Sequence, residues 1–119
     1  MVSKKNVAEA IIEKVKDEHD DVEIRTSMVE GYERPEKILS KENQENGFIP
    51  DVMLKSDDVM ELYEIDLDMD FKPERWKLFS QFTHTGKGSF SIVTPEENVN
   101  PLRMFLKENN IEARILFFG

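Results

Sequence analysis

Residues 50–70 constrain this chain more than any other stretch. Val52 and Leu54 alternate with Asp51, Met53 and Lys55, and Tyr63, Ile65 and Leu67 alternate with Leu62, Glu64, Asp66 and Asp68. A period of two over short runs is the pattern of a half-buried strand, and Ser56-Asp57-Asp58 between them is turn chemistry. With Asp57 and Asp58 as a two-residue loop, the register puts Val52 opposite Tyr63 and Asp51 opposite Glu64. One face of the hairpin then carries Asp51, Glu64, Asp66 and Asp68, and the reverse face is apolar. Carboxylates facing one another across two strands repel unless a cation or a proton lies between them.

The flanking segments supply helices and further strands. Ser3 is placed to cap a helix over residues 3–18, with Val7, Ala8, Ile11, Ile12 and Val15 as its apolar stripe. Glu9 and Glu13 fall away from that stripe and read as solvated. His19, with no second histidine nearby, reads as a surface residue. Residues 22–26 alternate as a first strand. Pro35 to Lys41 allow a short helix, and Glu42 to Gly47 read as a polar loop.

Pro73 opens a second helix over 73–83, with Trp76, Leu78, Phe79 and Phe82 as its buried side and Lys77 and Gln81 on the opposite side. Residues 83–89 read as a loop that lacks the glycine spacing of a phosphate-binding loop. A short strand follows at 90–93. Thr94-Pro95-Glu96-Glu97 has capping-box spacing. Leu102, Phe105 and Leu106 mark a third helix ending at Asn109-Asn110, and residues 111–118 form a last strand. Strand, helix and strand in that order imply a parallel crossover.

The hairpin and its surroundings resemble the restriction-endonuclease-like superfamily, the PD-(D/E)xK nucleases. Pro50-Asp51 matches the Pro-Asp half of the motif, and Glu64-Ile65-Asp66 occupies the place of the second half, with Asp66 where the family has lysine. The resemblance implies an α/β fold over residues 1–119, a three-layer core with a mixed four- or five-stranded sheet flanked by helices. It also implies a divalent cation, magnesium or manganese, held by Asp51 and Glu64. Lys77 is the candidate for a lysine relocated to the second helix, Gln81 resembles a glutamine found near the site in several such nucleases, and a further acid on the first helix leaves Glu9 or Glu13 a minor role.

Composition narrows the function classes. The chain has 119 residues and no cysteine, which excludes disulfides, thiolate metal sites and cysteine nucleophiles. No run approaches the ~18 apolar residues of a membrane span, and a polar helix at the start predicts a cytoplasmic protein without a secretory signal. With 25 acidic and 16 basic residues, the formal charge of −9 disfavours free-standing nucleic-acid binding. Three functions fit this reading. One is a degenerate nuclease-like domain that works by binding. Another is a metal-dependent nuclease using Asp51, Glu64 and Lys77. The third is a small acidic assembly protein. The partner is a nucleic acid or a basic protein, and a homodimer is compatible with the sequence.

Overall fold

The computed structural model describes residues 2–18, 21–40 and 47–119. Helix α1 spans Lys4–Glu18, and strand β1 spans Glu23–Thr26. Two short strands, β2 (Ile38–Leu39) and β3 (Gly47–Phe48), precede the hairpin of β4 (Val52–Ser56) and β5 (Val59–Ile65). Helix α2 (Pro73–Thr85), strand β6 (Lys87–Pro95), a 3-10 turn (Glu96–Asn98), helix α3 (Val99–Glu108) and strand β7 (Arg114–Phe118) complete the order. The result is an α/β fold with a five-stranded mixed sheet in the order β1-β4-β5-β6-β7, while β2 and β3 pair separately.

The hairpin register is the one the alternation predicts. Val52 pairs with Tyr63 and Ser56 with Val59, so Asp57 and Asp58 are the loop, and Asp57 turns it with a φ of 52°. Strands β5, β6 and β7 run parallel to one another, each joined to the next through a helix. That makes β5 an interior strand, with β4 on one side and β6 on the other.

The sheet has a separate core on each face. On one, α1 lays Val7, Ala8 and Val15 against Val52, Leu54, Tyr63, Ile65 and Val93. On the other, α2 and α3 bring Trp76, Phe79, Leu102 and Leu106 onto Met53, Leu62, Phe90 and Ile92. Ser3 caps α1 as expected, its Oγ accepting the Asn6 N–H at 3.2 Å.

Several expectations are corrected. The hairpin face carrying Asp51, Glu64 and Asp66 is not solvated; all three are buried, and Arg75 and Trp76 of α2 lie on the Asp51–Glu64 end. Residues 38–39 are a strand rather than part of a helix, held by pairing with Gly47 and Phe48. Phe82 is 38% exposed, since the turn of α2 that meets the sheet is completed by Ser80 and Thr83. The 83–89 loop shrinks to Gly86: α2 runs on to Thr85 and β6 starts at Lys87. There Gly88 presses on β5 so closely that a β-carbon would collide with the Met60 carbonyl. Thr94 caps nothing; it is buried in β6, and Pro95 precedes the 3-10 turn. His19 and most of the expected 42–47 loop lie outside the described residues.

Candidate functional site

Asp51 stands at the entrance to β4 and Glu64 one residue before the end of β5, so the antiparallel register sets them face to face. Each carboxylate binds the other strand's backbone. The Asp51 N–H donates to Glu64 Oε2 at 3.0 Å, and the Ile65 N–H donates to Asp51 Oδ2 at 2.8 Å. Thr26 Oγ1 donates to the Asp51 carbonyl at 2.8 Å, which ties β1 to the same point. Two acids thereby close the open end of the hairpin ladder, where buried peptide groups need partners.

The charge between them is balanced from α2. Arg75 Nε donates to Glu64 Oε1 and Arg75 Nη2 to Glu64 Oε2 at 3.0 Å, a bidentate fork that also reaches the Ile49 carbonyl. The same Nη2 lies 3.7 Å from Asp51 Oδ1. Trp76, the next residue along, donates its indole N–H to Glu64 Oε1 at 3.1 Å. The guanidinium is further held over the rings of Phe48 and Phe79, at 5.9 and 5.4 Å from their centroids. Lys4, from the first turn of α1, brings its Nζ to 3.8 Å from Asp51 Oδ2.

Glu64 is 3% exposed. Burial pushes its carboxyl above the ordinary glutamate value and the Asp51 charge adds to that, while the hydrogen bond and charge of Arg75 oppose both. A divalent cation does not fit this donor set as it stands. The oxygens that would ligate it accept peptide, indole and guanidinium N–H groups, and Arg75 occupies the position between the acids. Among the described residues, no group of three or more His, Cys, Asp or Glu side chains is arranged to hold a metal.

Asp66, the first residue beyond β5, extends the ladder by donating its N–H to the Val93 carbonyl at 2.9 Å. Its side chain turns to the following loop, where Oδ1 accepts the Asp70 N–H at 3.0 Å. Oδ2 is buried without a hydrogen bond, as is the Oγ1 of Thr94, its cross-strand neighbour if the Ile65–Val93 register is continued. Burial raises the Asp66 carboxyl above its ordinary 3.8, against the pull of the Asp70 N–H. The cost of keeping it ionised is therefore full above the folded-state pKa and fades as pH falls from there towards 3.8. Asp66→Asn should stabilise the protein at neutral pH by on the order of 1 kcal/mol, with the gain vanishing in acid. Urea unfolding at several pH values checks this, and a variant less stable than wild type at neutral pH would contradict it.

Of the residues the sequence singles out, Asp51 and Glu64 meet. Asp66 is buried nearby on the same face without joining them. Lys77 and Gln81 are exposed on α2, as are Glu9 and Glu13 on α1. The α2 cation that reaches the acids is Arg75. Its signal was spacing: Arg75 precedes Phe79 by four residues and adjoins Trp76, so it borders the buried stripe that Lys77 opposes. No helix among the described residues is long and apolar enough to cross a membrane. No protein-family model, curated protein or solved structure matches this chain.

Proposed function

We propose that this chain is a degenerate member of the restriction-endonuclease-like fold, working as a binding or accessory domain with little intrinsic cleavage. The observation that carries this reading is Arg75, which takes the place of a cation between Asp51 and Glu64. Support for the fold comes from the element order around the acids: a helix, a strand, a separate pair of two-residue strands, a hairpin of two strands, a helix and a strand, on a mixed sheet. With Asp66 at the motif's lysine position, buried and turned to the Asp70 N–H, that position supplies no amine to the acid pair. The formal charge of −9 favours a basic protein as partner over a nucleic acid.

The competing reading is a nuclease in which Asp51 and Glu64 hold magnesium or manganese and Lys77 supplies the motif's amine. It requires Arg75 to leave both acids. Incubation of the full chain with single- and double-stranded DNA and RNA, with each metal, distinguishes the two. Neither wild type nor Asp66→Lys should cleave, since Arg75 stays in place in both. Cleavage by wild type that Glu64→Gln and Lys77→Ala each abolish would establish the enzyme instead.

A further inference from the structure

Strand β7 closes the sheet on one side, and no described strand pairs with its outer edge. Native sheets blunt such an edge with lysine, proline, a bulge or a cover. From Ile115 to Phe118 the sequence is Ile-Leu-Phe-Phe, with no charge and no proline. Leu116 is 41% exposed and Phe117 is 58% exposed. They lie on opposite faces, because Leu116 pairs with Val93 of the α1-side core and Phe117 with Thr94. On the α1 side, a groove of about 580 Å³ runs along the edge between Val7, Ala10, Ile11, Leu116 and Phe118.

The backbone fixes which groups the edge offers. The Val93 carbonyl accepts from Asp66, so Val93 directs its peptide groups to β5. By alternation Ile92 and Thr94 direct theirs to β7, where Arg114, Leu116 and Phe118 receive them. Ile115 and Phe117 are left with N–H and C=O pointing outward. This arrangement is symmetric about Leu116. A second β7 laid antiparallel on that centre sets Ile115 against Phe117 of the other copy, each exchanging both hydrogen bonds, with the two Leu116 side chains opposed on the α1 face.

Charge agrees with that pairing. Two chains of formal charge −9 repel in general, but this strip brings no carboxylates together. Arg114 of one copy falls opposite Phe118 of the other, and its guanidinium is balanced within its own chain, donating to Ser89 Oγ at 2.7 Å and lying 3.5 Å from Glu61 Oε1. We infer that β7 is a self-association edge, through which two copies join their sheets about a two-fold axis at Leu116. The inference rests on the opposite end of the sheet from β1 and is independent of the Asp51–Glu64 pair.

Sedimentation equilibrium of the full chain should give twice the 13.9 kDa of one chain. Phe117→Lys, a change at an exposed side chain, should return the mass to that of one chain with an unchanged circular dichroism spectrum. The chain contains no cysteine, so Leu116→Cys reports the register directly. Residues opposed at a non-hydrogen-bonded position have Cα atoms about 4.5 Å apart, within disulfide range, and mild oxidation with diamide should link two copies. Phe117→Cys, whose opposite number is Ile115, should not link. A wild type with the mass of one chain, as expected if the edge serves a foreign strand, overturns the inference. So does a dimer that persists in Phe117→Lys and leaves Leu116→Cys unlinked.

Discussion

Replacing Arg75 with alanine should destabilise the protein by about 3–5 kcal/mol at neutral pH, the usual consequence of removing one member of a buried ion pair. Glu64 and Asp51 are 3% and 8% exposed, and both would be left without the guanidinium. Lys4 does not replace it, being itself half-exposed and 3.8 Å from Asp51 alone. The loss has a direction in pH. Glu64 is already raised above its ordinary 4.5 by burial and by Asp51, and removing Arg75 removes what opposes that rise. A carboxyl raised further in the folded state costs most above its folded pKa, so the deficit should shrink as pH falls towards 4.5. Urea unfolding of both proteins at neutral and acid pH reads this out. A neutral-pH loss below about 1 kcal/mol would mean that the pair is not held by Arg75.

Phe79→Ala should cost a similar ~3–5 kcal/mol, as truncations of buried aromatic residues do. Phe79 is 0% exposed, stacks edge-on against Phe90 with centroids 5.7 Å apart, and lies under the Arg75 guanidinium. Its removal opens a cavity between α2 and the sheet and takes away one of the two rings that bracket Arg75. A stacking platform for bases would instead be exposed, and its loss would leave folding untouched. A change under about 1 kcal/mol in denaturant unfolding would contradict the packing role.

The hairpin was legible because one register satisfies both its turn and its alternation. Val52, Leu54, Tyr63 and Ile65 all belong on one face, and the turn residues Asp57-Asp58 select the register among those that put them there. The position of that hairpin in the sheet was not legible. Glu64 and Asp66 have the pattern of a strand with a wet face, and only the packing of α2, which brings Arg75 and Trp76 onto Glu64, shows that face to be covered. Local chemistry misled for the same reason elsewhere. Thr94-Pro95-Glu96-Glu97 has the residues of a helix start, but Thr94 is needed to continue β6 across β7. Phe82 continues the aromatic run of α2, but Ser80 and Thr83 are the residues of its turn that face the sheet, and it remains 38% exposed. For the acid pair, the sequence showed that a cation or a proton had to lie between the carboxylates, and the resemblance suggested a metal ion and a lysine. Arg75 was visible only as the basic residue nearest the buried side of α2, and its two-pronged reach to Glu64 is a property of the packing.

The measurement closest to the central claim is a double-mutant cycle joining Arg75→Ala with Glu64→Gln. Glutamine keeps the size of Glu64 and one of the two oxygens that accept the Trp76 and Asp51 N–H groups, while removing the charge that Arg75 balances. If Arg75 is the cation of this site, its removal should cost much less in the Glu64→Gln background than in wild type, with a coupling of roughly 1.5–3 kcal/mol at neutral pH. If Arg75→Ala costs the same in both backgrounds, the arginine acts only by packing on Phe48 and Phe79. Arg75 would then not be the cation of the acid pair.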